Sequence, residues 1–330
     1  MTALTDPEWL AHRYDPTHDA VHFVRAPRAV RRSTPFLIDE YLKPDAPLVE
    51  TRREALAARP KAPVQFIFHS AFCCSTLLAA AFDVPGVATS FKEPLILHDV
   101  VGWMHRGGDR RRIGEALDAA LHLLTPFAGE QASVIKPSNV ANGLATAMMG
   151  LRPDSRAILM YAPLRTFLAS VARKGMDGRL WVRDLVAKQL AENFIDLGFE
   201  PRDHLLHTDL QAAAVGWLAQ HKMFAALAAR WPERVRTLNS EALIADPQAH
   251  LTAAAAHYGI ALSEAQVAAI VGDVFARSSK DGSAFAPGQR TAEAKTGGAL
   301  HADEIDKVSI WAEAVAANAG VAMGLPLPLV

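Results

Sequence analysis

From residue 62 onward, short and almost entirely apolar runs recur, each followed by a turn and then by a stretch whose apolar positions repeat every three to four residues. VQFIFH (64–69) precedes a helix expected over 75–82, and VATSF (87–91) precedes a helical segment at 95–104. ASVIK (132–136) precedes a helix at 140–149, AILMYA (157–162) one at 164–174, and RVRTLN (234–239) helical material at 247–257. Strands that lack polar alternation are covered on both faces. Five such strand–helix units therefore predict an α/β fold built on a doubly wound parallel sheet. Ligands of such sheets bind beyond the carboxyl ends of the strands.

The flanks read differently. Residues 1–60 mix Pro, Arg and short apolar patches without a sustained period, and are expected to form an N-terminal arm or cap on a domain spanning 61–330. The cluster Arg25, Arg28, Arg31 and Arg32 suits either an anion or a solvated face. About 180–230 is Ala- and Leu-rich with no strand signal, which predicts a helical insert. A Gly/Ser/Lys-rich stretch at 278–298 is expected to be a mobile loop, and a final helix fits 304–319, giving a C-terminal lid and helix over about 277–320.

The chain has 330 residues, enough for one large α/β domain or one domain with a subdomain, and 50% of them are hydrophobic. Its 34 Lys and Arg nearly balance 35 Asp and Glu, so no global field favours nucleic acid or an anionic membrane, and any anion site must be local. The two cysteines, Cys73 and Cys74, are adjacent, which argues against a disulfide framework. The opening MTALTDPEWL has no basic segment leading into an apolar run, and no stretch reaches the ~20 apolar residues of a membrane helix. A cytoplasmic protein is expected. The 13 histidines include no HExxH and the cysteines no CxxC, so no metal site is expected.

The loop after the first strand of the repeating series, His69 to Cys74, leads into Ser75-Thr76 at a helix start. Backbone N–H groups and the positive end of the helix dipole converge there, which outlines an anion nest. The GxxxxGK[ST] pattern of a nucleotide triphosphatase is absent, since the loop has neither Gly nor Lys, which makes a metal-ATP kinase the weakest reading. On residues alone, Ser75 is equally an N-cap and Cys73 and Cys74 small buried residues.

Four segments, in order, resemble the sulfotransferase family, which has a nucleotide-kinase-like P-loop fold and takes 3′-phosphoadenosine 5′-phosphosulfate as sulfuryl donor. AFCCSTLL (71–78) sits where the family has a PRSGTTLL-like phosphosulfate loop, and FKEPLIL (91–97) resembles the segment bearing an acidic base in the carbohydrate-type branch. MYAPLRTFLASVARKG (160–175) resembles the strand–turn–helix that holds the 3′-phosphate. NSEALIADPQAHLTAAAAHYGI (239–260) resembles the YEDLLxDPxxxLxxIxxFLGI stretch and is the most specific match. The resemblance spans roughly 62 to 262. It implies donor contacts from Phe72, Cys73, Cys74, Ser75 and Thr76. Departures are clear: Phe72 replaces a basic residue, Cys74 a Gly and Tyr161 an Arg, while the family's Ser falls at Ala169 with Ser170 beside it. Arg165, Ser170, Arg173 and Lys174 are then the candidates for the 3′-phosphate.

Sulfuryl transfer needs an acceptor base, positive charge at the developing bridging oxygen and in-line positioning, with no metal obligatory. Glu93, followed by Pro94 after a strand end, is the candidate base; the alternative is a surface carboxylate paired with Lys92. Lys136 ends a strand in IKPSN, where it is either catalytic or solvated, with Ser138 and Asn139 as caps of the next helix. His69 is the alternative base, or a structural histidine, and a Cys73–His69 hydrolase pair is the remotest option. The run 172–184 gathers Arg173, Lys174, Arg179 and Arg183 around Trp181, as suits a nucleotide or a helix surface, and Lys280 lies in a lid or an exposed linker. The function expected on these grounds is that of a sulfotransferase-like enzyme acting on a hydroxyl or amine of a small molecule or glycan, with a noncatalytic anion- or partner-binding member of the fold as alternative.

Overall fold

A computed structural model describes residues 3–43, 46–276 and 289–330. Lys280 and the lid residues up to 288 lie outside this set. Eight strands are present among the described residues: β1 (Trp9–Asp15), β2 (Ala20–Arg25), β3 (Leu48–Thr51), β4 (Val64–His69), β5 (Ala88–Lys92), β6 (Ala132–Lys136), β7 (Ala157–Tyr161) and β8 (Val235–Asn239). The last five form a parallel sheet in the order β5–β6–β4–β7–β8. The first of these in sequence is therefore central, with later strands to either side, which is the doubly wound arrangement that the apolar runs predict. Every residue of β4, β5 and β6 is buried, the reason those runs lack alternation.

The chain divides into two compact units. One comprises Met1–Phe68, Ser75–Ile158 and Pro247–Ser283; the other comprises His69–Cys74, Leu159–Asp246 and Ala284–Val330. In the first, the buried Tyr258 hydroxyl donates to the Phe66 carbonyl at 2.7 Å, tying the helix Pro247–Tyr258 to β4. In the second, the helices Leu164–Arg173, Gly175–Ala191 and Asp209–Arg230 pack together, and the fully buried Trp217 donates its indole N–H to the Ala162 carbonyl at 2.9 Å. The C-terminal residues bridge β8, with Thr237 N donating to Leu327 O and Leu329 N to Thr237 O, both at 2.9 Å.

The structure refines three expectations. Residues 1–60 carry regular structure: β1, β2 and β3 form an antiparallel sheet, with helices at Arg28–Ser33, Asp39–Leu42 and Arg52–Ala58. Their period is masked because charged residues work inside this segment. Arg31 is buried and donates to the carbonyls of Ala26 (2.8 Å) and Pro7 (2.5 Å), and burial pushes its guanidinium down to about 10. Arg59 likewise serves the carbonyls of Leu4 and Leu123, at 2.9 and 3.1 Å. The final helix begins at Gln289 and runs to Ala319, so 289–298 is helical rather than loop. The helix expected over 140–149 is divided, with a 3-10 turn at Asn139–Leu144 leading into Ala145–Leu151.

The basic cluster resolves into structural and surface members. Arg28 pairs with Glu130 and, at 2.6 Å, with Asp83, while Glu130, 1% exposed, also accepts from the amides of Gly86 (3.1 Å) and Phe127 (3.2 Å). Removing one partner of such a buried pair strands the other charge, at ~3–5 kcal/mol. Arg28→Ala is expected to lower unfolding free energy in urea by that order. Arg25→Ala, which removes an exposed pair with Glu8, is expected to change it by less than ~1 kcal/mol.

Candidate functional site

The loop after β4 is held to β7 by its backbone. Ser70 N donates to the Met160 carbonyl at 3.0 Å, and Cys73 Sγ lies 3.5 Å from the same oxygen. Ala71 N donates to His69 Nδ1 at 3.1 Å, so that ring nitrogen is an acceptor and the buried His69 is committed to shaping the turn. Ala71, Phe72 and Cys74 have φ of +69°, +51° and +61°. Left-handed backbone costs a non-glycine residue roughly 1–2 kcal/mol, and three such residues in four positions persist only where the surroundings over-determine them. Cys74 holds this conformation at the position where the resemblance places Gly.

Phe72 is fixed by its own neighbours. Its ring stands edge-on to Trp181 with centroids 5.2 Å apart and tilted against Phe167 at 5.7 Å, and the exposed Lys174 ammonium lies 5.9 Å from its centroid. A cation thus stands beside the loop, although the loop residue itself is apolar. Of the other candidates in this unit, Arg165 pairs with Asp306, and the Ser170 hydroxyl donates back to the Thr166 carbonyl at 2.9 Å within its helix. Arg173 is exposed. Arg179 pairs with Asp209 and Glu304, and Arg183 with Asp209, so these two cations are partnered by acidic groups of the same unit. Ser75 is buried and Thr76 half-buried at the start of the helix Ser75–Ala81, in the other unit.

The second constellation lies at the ends of β5 and β6. The strands are in register with Lys92 opposite Lys136. Glu93, one residue past β5, has φ of +51°, donates its amide to the Lys136 carbonyl at 2.7 Å and accepts from the Lys136 ammonium on its carboxylate. Lys136 is 1% exposed and Glu93 16%. The Lys136 ammonium also lies 5.4 Å from the Phe36 ring centroid, and Tyr41 stands edge-on to Phe36 at 6.0 Å. Three residues on, the Asn139 side-chain nitrogen is buried with no hydrogen-bond partner, a donor whose orphaned burial costs ~1–3 kcal/mol until an acceptor meets it.

Lys92 is not the partner of Glu93. It is buried, and its ammonium donates to the carbonyls of Thr34 and, at 3.2 Å, Arg32. Burial, opposed by Asp83 and reinforced by Lys136 and Arg32, pushes it down to about 8. Lys92 and Phe36 belong to this constellation, Lys92 in a role other than the surface ion pair weighed from the sequence and Phe36 with no role expected of it. The one signal for Lys92 is a lysine inside an otherwise uncharged buried strand, and Phe36 carries none, lying 100 residues from the lysine it covers.

Among the described residues no group of three His, Cys, Asp or Glu side chains is placed to hold a metal, and no helix is long and apolar enough to cross a membrane. No family model matches the chain, and no curated protein matches it. Solved structures similar to this chain include two mycobacterial sulfotransferases. The sulfotransferase STF9 from Mycobacterium avium aligns over 92% of this chain and 88% of its own, at 11% identity and a TM-score of 0.46. The sulfotransferase STF1 from Mycobacterium tuberculosis H37Rv aligns over 73% and 78%, at 12% identity and a TM-score of 0.42. The residues of this chain, rather than these likenesses, carry the functional reading.

Two measurements test the strained loop and the buried lysine. Cys74→Gly is expected to leave unfolding free energy unchanged or raise it by up to ~1 kcal/mol, because glycine accepts a positive φ, whereas Cys74→Val is expected to lower it by ~1–3 kcal/mol. Lys92 has a lower pKa folded than unfolded, so the unfolded chain binds more protons between pH 8 and ~10.4, and stability from this group rises with pH there. Urea unfolding of wild type relative to Lys92→Met should show that rise, with a slope of at most ~1.4 kcal/mol per pH unit, and little slope below pH 7.

Proposed function

We propose that this protein is a sulfotransferase-like enzyme that moves a sulfuryl group from 3′-phosphoadenosine 5′-phosphosulfate to a hydroxyl or amine of a small molecule or glycan. The observation that carries the reading is the loop 71–74, which keeps left-handed backbone at Ala71, Phe72 and Cys74 without a single glycine. Alternation of left- and right-handed backbone turns successive amides towards one point, the arrangement that grips phosphate oxygens, and Cys73 stands between the left-handed Phe72 and Cys74. In this reading the 72–76 backbone and the hydroxyls of Ser75 and Thr76 hold the 5′-phosphosulfate. Lys174 supplies the charge that a basic loop residue would otherwise bring, and Arg173 remains a candidate for the 3′-phosphate.

Glu93 accepts the proton of the attacking hydroxyl or amine as its oxygen or nitrogen bonds to sulfur and the bond from sulfur to the bridging phosphate oxygen breaks. Lys136, already bonded to the Glu93 carboxylate, stabilises negative charge developing on that bridging oxygen. The orphaned Asn139 amide is a further donor for a ligand oxygen. We assign no metal to the step, and place the activity in the cytoplasm without nucleic acid or membrane partners.

A second reading is favoured by one observation. The resemblance expects its 3′-phosphate contacts at Tyr161 and Ala169, and two of the residues offered in their place, Arg165 and Ser170, are engaged with Asp306 and Thr166. A noncatalytic member of the fold that binds another anion or a protein partner would tolerate this.

Titration with 3′,5′-adenosine bisphosphate separates the two. An enzyme should gain ~2.7 kcal/mol of stability at a hundredfold excess over Kd, read as a rise of several degrees in Tm. A flat response to millimolar ligand would overturn the donor assignment. Glu93→Gln is expected to retain that binding and lose at least ~100-fold in turnover, whereas full turnover in a folded variant would remove Glu93 from the mechanism.

A further inference from the structure

Lysine is a costly residue to bury, and Lys92 is 4% exposed. A packing role alone would be met by methionine or leucine, so the ammonium points to a task. Its donors go to the carbonyls of Arg32 and Thr34, groups at the end of the helix Arg28–Ser33. A cation there also meets the negative end of the helix dipole. The backbone of Lys92 takes part as well. Its carbonyl accepts from Leu37 N at 2.8 Å, and Leu95 N donates to the Leu37 carbonyl at 3.1 Å, so residues 34–37 run as a strap across the end of β5. The Leu37 side chain is fully buried beneath it. Asp39, two residues further along, bonds His12 and Arg13 of β1 at 2.6 and 2.8 Å and holds the far end.

One residue of this strap meets the site. Phe36 places its ring 5.4 Å from the Lys136 ammonium, the group that bonds Glu93. We infer that Lys92 is a positioning residue, a latch that holds the strap 34–37 across the end of β5 so that Phe36 seals the Glu93–Lys136 pair from water. The inference rests on the reading of that pair as the acceptor-activating group. Excluding water strengthens the attraction between carboxylate and ammonium and keeps the proton-accepting oxygen fixed when an acceptor arrives. Consecutive residues thus serve one end of the sheet: Glu93 faces the chemistry, and Lys92 holds the cover.

Two readouts on the free protein test this without any donor. One is amide hydrogen exchange at Leu37, and the other is acylation of the Lys136 amine by a water-soluble acylating reagent followed by mass spectrometry. In Lys92→Met both are expected to accelerate at least ~10-fold, as loss of hydrogen bonds from a charged donor predicts, while exchange at Phe66 and Ser133 in the sheet stays unchanged. Lys92→Arg, which keeps donors for the two carbonyls, should restore both. Phe36→Ala should accelerate acylation of Lys136 and leave Leu37 exchange as in wild type, because the strap's backbone bonds remain. If Lys92→Met does not fold, Lys92→Gln, whose amide is a shorter and uncharged donor, takes its place with a smaller acceleration. Unchanged Leu37 exchange in folded Lys92→Met or Lys92→Gln, or unchanged Lys136 acylation in Phe36→Ala, overturns the latch. Neither result depends on 3′,5′-adenosine bisphosphate, so failure of the latch and failure of the donor assignment are read separately.

Discussion

A lysine ammonium buried at the end of a parallel sheet must be answered by acceptors; Lys92 finds backbone carbonyls, and for Lys136 the answer is a carboxylate from the residue just past the neighbouring strand. Glu93 meets Lys136 twice, through its amide to the Lys136 carbonyl and through its carboxylate to the ammonium. To do both it takes a left-handed backbone, φ +51°. The strain, the short reach past the end of β5 and the near-complete burial of Lys136 belong to one constraint. Pro94 comes next and caps the helix Leu95–His105, so the chain leaves the sheet in a direction that keeps the carboxylate in place.

The loop 69–74 meets a similar demand by another route. With no glycine available, the left-handed residues are held by bonds to Met160 and by the packing of Phe72 among Phe167, Trp181 and Lys174. An apolar residue in this position is therefore a fastening for the turn, with the Lys174 ammonium 5.9 Å from its ring centroid. Where glycine removes the conformational penalty, this chain offsets it with side-chain contacts.

Much of the protein's positive charge is used internally. Arg28, Arg31, Arg59, Lys92 and Lys136 are tied to buried carboxylates or to backbone carbonyls, and Arg179 and Arg183 to Asp209. Basic clusters in the sequence are consequently poor guides to a polyanion surface in this chain. The first sixty residues illustrate the point, because the arginines that obscure their periodicity cross-link the segment they belong to.

The amino-acid order located the five sheet strands to within a residue and most of the helices that follow them. Uninterrupted apolar runs between turn residues can be satisfied only by burial on both faces, and the boundaries of β4 and β6 are those the runs define. It also placed Glu93 and Lys136 at strand ends, since position within a run is local information. Which charges meet is a property of the folded chain. Lys136 and Glu93 are 43 positions apart and Lys92 and Thr34 58 apart, and nothing along the chain says which strand lies beside which until the sheet order is set. The same holds for Cys74 and Phe72, whose left-handed backbone contradicts residue preference and exists because contacts distant in sequence outweigh it.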